Sequence, residues 1–458
     1  MTTATPRTGT PTTTKSYPVF DCDAHINDPA QIWDRLSKKE QEIVGPWYWL
    51  EGSPMNTYGT RLKPMYSKFS GPQINDPGRV KLVEIAGPGV DRATIRKLRE
   101  MSPLTPEQAR YVNRPGASDA KARIADSDLQ GIDQVMVIPF GMFGGFLFVE
   151  NHQAAALVAR AYNDWVYDWC SEDPTRLFPA AALPVQDPIF AAAEVRRVAK
   201  LGFRAALVRP VDVRRGYPNL ATFDSLWQAF DETGIVCGMH SMIAGESVPT
   251  ELDPSVPQWS PSFFQERVLD KRQQQSEGAV SQNLGFIHEA MVWLTNVLLS
   301  GFMERYPGVK MATMESNAGW LPMLLEDCDK AVKRYKSERN IPVTRLPSEI
   351  YMEKGFIAFE GDESLVYQQH EFFENIGIWS SDVYHADGAD AWTAIRKMNE
   401  NGVPEEVQAK LMGGNARRMY GVEPVMCIAA EPEDYNRPDW FPKAEDLERE
   451  YAPLTERR

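Results

Sequence analysis

YPVFDCDAHI, residues 17–26, is an apolar, partly β-branched run that ends in Asp-Ala-His, and that ending decides the fold. An open doubly wound sheet follows its first strand with a glycine-rich phosphate loop. Here Asp23, Ala24 and His25 stand in that place. Seven more runs of the same kind follow: QVMVIPF (134–140), LFPAAALPV (177–185), AALVRPV (205–211), GIVCGMH (234–240), VKMATMES (309–316), GFIAFEGDE (355–363) and IGIWSSDVYH (376–385). Helical patterns separate them at 151–172, 187–201, 221–233, 286–306, 320–337 and 363–376, the third set between Thr222 and Gly234 as caps. Eight strands alternating with helices predict one α/β domain, a distorted (β/α)8 TIM barrel over residues 17–423, with the open sheet as the alternative.

Two connections exceed a normal barrel loop. Residues 44–117 follow strand one and 241–285 follow strand five. Both leave the C-terminal strand ends, so they read as lids or partner-contact arms rather than domains. Residues 1–16, rich in Thr and Pro without an apolar signal core, read as a disordered tail, and 424–458 as an acidic extension. The insertions and the tail are the expected contacts of a homo- or hetero-oligomer. A net charge of -14 and the lack of a clustered Lys/Arg patch exclude a nucleic-acid surface. No apolar run is long enough to span a bilayer. The five cysteines are scattered and never in CxxC, which excludes a disulfide framework or zinc knuckle. A cytoplasmic small-molecule enzyme is the expected class.

Barrel geometry brings the C-terminal ends of the strands around one mouth, and metal-binding side chains fall at those ends. Asp23 and His25 close strand one at i and i+2, a spacing that points both to one side. Asp21 shares that parity but lies deeper, where a structural salt bridge or support of a ligand is expected. His240 closes strand five, Glu315 strand six, and Asp382 strand eight, with His385 three residues on. Each has an alternative: Glu315 or Asp382 as a helix cap, His240 as a hydrogen-bonded strand-end residue. Their joint placement on one face favours a metal site. His288, at the start of the helix after the strand-five insertion, reads either as a further ligand or as lid packing. His152 and His370 lie in predicted helices as surface or packing residues.

At these residues the chain resembles the amidohydrolase-related family, the branch of aminocarboxymuconate semialdehyde and resorcylate-type decarboxylases. The resemblance rests on VFDCDAH at strand one, the MES-NAG-WLP segment (Glu315, Gly319, Trp320, Pro322), SSDVYHADG at strand eight and the closing GGNARRMYG. It implies a divalent metal held by Asp23, His25, His240 and Asp382, with Asp382 also moving a proton. The family pattern usually opens His-x-His and often carries His at strand six; Asp23 and Glu315 depart from it. The site is richer in carboxylate than a hydrolytic zinc site, so Mn and Fe(II) join Zn as candidates, with one or two ions per chain. The expected reaction is hydrolysis or non-oxidative decarboxylation of a small carboxylated substrate. Asp382, His385 and Glu315 are the catalytic groups, Arg209 binds a substrate carboxylate, and Trp320 and Tyr384 wall the pocket. The alternatives are a dinuclear iron or iron/manganese monooxygenase component, or a non-catalytic subunit of a heteromeric complex.

Overall fold

The architecture is taken from a computed structural model that describes residues 12–26, 30–44, 47–49, 57–58, 83–84, 115–139, 151–210, 221–241, 284–384 and 388–432. In chain order the strands are β1 (Phe20–Ile26), β2 (Trp47–Trp49), β3 (Thr57–Tyr58), β4 (Val83–Glu84), β5 (Gln134–Pro139), β6 (Leu177–Ala182), β7 (Ala205–Val208), β8 (Val236–His240), β9 (Met311–Met314), β10 (Gly355–Phe359) and β11 (Gly377–Trp379). Eight of them form one sheet in the order β1-β5-β6-β7-β8-β9-β10-β11, every neighbouring pair parallel. The expected barrel is therefore present, with helices between its strands. β2, β3 and β4 make a small antiparallel sheet within the first insertion. Most of the rest of that insertion, nearly all of 241–285, and His385 lie outside the described residues.

The helices are α1 (Lys38–Val44), α2 (Ala120–Gln130), α3 (His152–Cys170), α4 (Pro188–Leu201), α5 (Asp224–Thr233), α6 (Phe286–Leu299), α7 (Phe302–Arg305), α8 (Leu321–Tyr335), α9 (Pro347–Lys354), α10 (Ser364–Gln368), α11 (His370–Phe373), α12 (Ala391–Glu400), α13 (Glu405–Ala409) and α14 (Asn415–Tyr420). Local chemistry sets their ends. α4 starts with Asp187 accepting from the N–H groups of Ile189 and Phe190, has Pro188 in its first turn, and stops at left-handed Gly202. No helix among the described residues is long and apolar enough to cross a membrane.

Large and small side chains interleave inside the barrel: Phe20, Met136, Met314 and Phe356 against Ala180, Ala205, Ala312 and Ala358. The base is plugged by Ala416, Met419 and Tyr420 of α14, with Tyr420 against Phe20 at 5.4 Å between ring centroids. The GGNARRMYG segment thus builds the floor. A Cβ on Gly413 would sit 2.8 Å from the Pro18 carbonyl oxygen and 2.9 Å from the Phe20 nitrogen, so only glycine lets this turn approach β1. Asn415 donates to the Glu374 and Gly377 carbonyls.

Several expectations need correction. The pattern over 286–306 is two helices, because Gly301 takes φ 72 and ends the run. The 363–376 stretch is likewise split, at Gln369. α5 is capped at its end by Gly234 as expected, but its N-cap is Phe223 without a side-chain hydrogen bond, not Thr222. Residues 12–16 are not a loose tail. Lys15 is buried against Asp133, and Thr14 pairs antiparallel with Ala430 of the C-terminal extension. Asp133 also accepts from the N–H groups of Val19, Cys427 and Ile428, so both chain extensions are tied to the start of β5.

The parity expected of Asp21 also fails. Asp21 pairs with Val135 and Ala24 with Val137, so three steps on β1 match two on β5. This bulge turns both Cys22 and Asp23 inward and leaves Asp21 on the opposite face. Asp21 makes no salt bridge with any described residue; it accepts from the Ser381 hydroxyl (2.5 Å), the Ser381 N–H (3.0 Å) and the Asp23 N–H (3.2 Å). It thereby stitches β1 to the segment after β11, where the barrel closes through Asp382 N–H to Asp23 O (3.0 Å) and His25 N–H to Val383 O (2.5 Å).

Candidate metal centre

Four strand ends deliver five side chains to the mouth in an alternating row of acid and imidazole. Glu315 Oε2 lies 3.1 Å from His240 Nε2, which lies 3.3 Å from Asp23 Oδ2. Asp23 Oδ1 lies 3.4 Å from His25 Nε2, which lies 3.3 Å from Asp382 Oδ1. One ligand atom each from Asp23, His25 and His240 falls within 4.8 Å of the others, all three residues buried. The structure therefore brings together Asp23, His25, His240, Glu315 and Asp382.

The backbone is bent to achieve this. β9 ends at Met314 and β11 at Trp379, so Glu315 and Asp382 stand beyond their strands, both left-handed at φ 45 and 52. For a residue with a Cβ that conformation costs about 1 kcal/mol or more and marks a constrained site. Neither caps a helix: Asp390 caps α12, and the N-cap of α8 is Trp320. The turn carrying Glu315 is held by Glu363, which accepts from the Ala318 and Glu360 N–H groups at 2.7 and 3.0 Å.

Electrostatics favour a cation here. His240 Nδ1 sits 2.6 Å from the Ser241 carbonyl oxygen, which can only accept, so Nδ1 carries the proton and Nε2 faces the two carboxylates. Burial pulls the His240 pKa down, but the charge and hydrogen bond of Asp23 outweigh it and the net direction is upward. Positive charge is thus drawn to Nε2, and a divalent ion can replace that proton. Burial likewise pushes Asp21 up to about 7 despite its bonds from Ser381 and Asp23. Asp23 Oδ1 is buried and receives no hydrogen bond from the described residues. Three carboxylates and two imidazoles gathered at a largely buried mouth are a donor set for Mn, Fe(II) or Zn, so the residues fit a divalent ion.

The remaining expected residues are placed as follows. Arg209 is buried just past β7, two positions from inward-facing Leu207, and so continues the inward parity. His288 lies outside the tight trio; it stands in the first turn of α6, whose Phe286 carbonyl accepts from Ser241 Oγ at 3.2 Å, and burial lowers its pKa. The Trp320 indole donates to the Ser316 carbonyl and its ring packs on the outer core. Tyr384 also belongs to the outer core, its hydroxyl donating to Asp126 Oδ2 at 2.8 Å. Sequence reasoning overlooked Ser381, Glu363 and Arg123. Their partners lie 360, 45 and 98 residues away, beyond any local pattern, although Ser381 stood inside the quoted SSD segment.

Comparison with known proteins identifies relatives of this chain. The family model described as Amidohydrolase matches residues 20–422. A gamma-resorcylate decarboxylase of Polaromonas sp. is 26% identical over 280 residues, covering 59% of this chain and 78% of that protein. An amidohydrolase structure from Mycobacterium avium subsp. paratuberculosis, 19% identical, superposes with a TM-score of 0.62 over 89% of this chain and all of that one. The 5-carboxyvanillate decarboxylase of Novosphingobium aromaticivorans, solved with manganese and 4-hydroxy-3-methoxy-5-nitrobenzoic acid, is 17% identical with a TM-score of 0.58, covering 89% of this chain and 97% of that one. These structures share the barrel.

Proposed function

Because this chain belongs to the amidohydrolase family, we propose that it is a metal-dependent enzyme that decarboxylates a small hydroxylated aromatic acid without oxidation. The observation that carries the reading is the alternating row of three carboxylates and two imidazoles at the mouth. The decarboxylases among its relatives favour this reaction over hydrolysis. Asp23, His25, His240 and Asp382 would hold one ion, with manganese, present in related structures, the proposed metal. When bound, the ion balances the carboxylates and polarises a substrate oxygen.

The protein groups do the rest. Arg209 pairs with the substrate carboxylate and sets its orientation. Asp382 delivers a proton to the ring carbon that bears the carboxylate. The bond from that carbon to the carboxyl carbon then breaks, its electrons return to the ring, and carbon dioxide leaves. Asp382 regains a proton from solvent, so no oxidant or reductant is consumed. Glu315 and His385 orient water or substrate beside Asp382. No observation favours the dinuclear oxygenase or the non-catalytic subunit.

Manganese-loaded protein mixed with 2,6-dihydroxybenzoate or 5-carboxyvanillate tests this. Carbon dioxide release without oxygen uptake, one Mn per chain, and a loss of roughly 10²–10⁴ in kcat for Asp382→Asn are expected. Two redox-active ions per chain with oxygen uptake on reduction would overturn it.

A further inference from the structure

Arg123 is among the largest fully buried side chains, 1% exposed on α2, on the outer side of the barrel wall. Its Nε donates to the Gly116 carbonyl at 2.8 Å, and its Nη2 donates to the carbonyl of His25 itself. Its guanidinium lies 4.7 Å over the Tyr384 ring and 5.7 Å from that of Trp169. One turn along the same helix, Asp126 accepts from the Tyr384 hydroxyl. α2 therefore holds Tyr384 by ring and by hydroxyl, two residues beyond Asp382, while grasping His25 directly. A Cβ on Gly116 would fall 2.1 Å from the Tyr384 hydroxyl oxygen, so the root of the first insertion must be glycine for this contact to close.

No described residue forms an ion pair with Arg123. A cation buried against carbonyls and ring faces, without a carboxylate, is a poor device for stability alone. The geometry instead points to a positioning role: we propose that Arg123 sets His25 against Asp382 and so tunes how tightly the mouth holds its metal. This rests on the metal-dependent reading above.

Outer partners of metal ligands typically contribute 10–100-fold in affinity. Calorimetric titration of metal-free full-length protein with Mn²⁺, alongside thermal melting, tests the role. Arg123→Met is expected to weaken Mn²⁺ binding by about 10–100-fold. Arg123→Lys, which can reach one carbonyl but cannot stack, should weaken it less. A purely structural arginine would lower the melting temperature and leave the affinity of the folded protein unchanged; wild-type affinity in either folded variant overturns the proposal, as does failure of both to fold. Wild-type protein that binds Mn²⁺ but decarboxylates no hydroxybenzoate sinks the reaction and leaves this test standing. Wild-type protein that does not bind Mn²⁺ sinks both.

Discussion

At the base of the barrel the Asp133 carboxylate is enclosed by Lys15 and three backbone N–H groups, whereas at the mouth three carboxylates share two imidazoles. Both places are buried and both are charged. The base closes its account internally: burial lowers the Lys15 pKa, and contact with Asp133 pulls it back. The mouth carries carboxylates on left-handed residues, and an oxygen of Asp23 there receives no hydrogen bond from the described residues. One end uses its charges to hold the chain extensions together; the other, on the proposed reading, uses them to hold a metal ion.

The sharpest way to break this contrast is to remove a charge from each end. Asp23→Asn is expected to lower the decarboxylation rate by roughly 10³-fold or more, about 4 kcal/mol of barrier, with the melting temperature of metal-free protein unchanged or raised. Steady-state kinetics and calorimetry check it; a destabilised variant with normal turnover would erase the distinction. Lys15→Met should do the reverse, costing about 3 kcal/mol of stability by leaving Asp133 without its cation, while manganese-loaded kcat/KM stays at the wild-type value. Urea denaturation paired with kinetics reads both. Chelation follows in size: stripping the ion should lower wild-type stability by about 2.7 kcal/mol where free Mn²⁺ had stood at a hundred times its Kd, and should leave Asp23→Asn unmoved.

The smallest effect sharpens the comparison at Glu363, a mouth carboxyl satisfied by backbone N–H groups as Asp133 is at the base. Burial raises its pKa from 4.5 to about 7. The folded chain thus holds a proton that the unfolded chain has already lost, so stability falls as pH rises through that window. Melting curves from pH 4.5 to 7.5 should show a shallower decline for Glu363→Gln than for wild type. Parallel curves would mean that Glu363 ionises normally.

Much of this contrast was legible in the chain. Apolar runs bounded by turn residues located all eight barrel strands, and strand-end position alone assembled Asp23, His25, His240, Glu315 and Asp382, because parallel barrels convert sequence order into a ring. What stayed hidden depends on register or on distant partners. A strict period of two places Asp21 beside Asp23, and only the extra residue at the bulge separates them. Nothing local marks Lys15 or Arg123 as buried, since their partners lie 118 and 98 residues away. Gly301 was the one readable signal passed over, a helix stop inside an otherwise continuous pattern.

The stitch between Asp21 and Ser381 joins positions 360 residues apart. During synthesis Asp23 and His25 leave the ribosome long before Asp382 exists, so the nascent chain offers an isolated pair of weak donors and not a completed cage. On the proposed reading of these residues as metal ligands, the choice of ion is deferred until the last barrel strand has docked, when competing ions must meet the finished geometry instead of a flexible half-site.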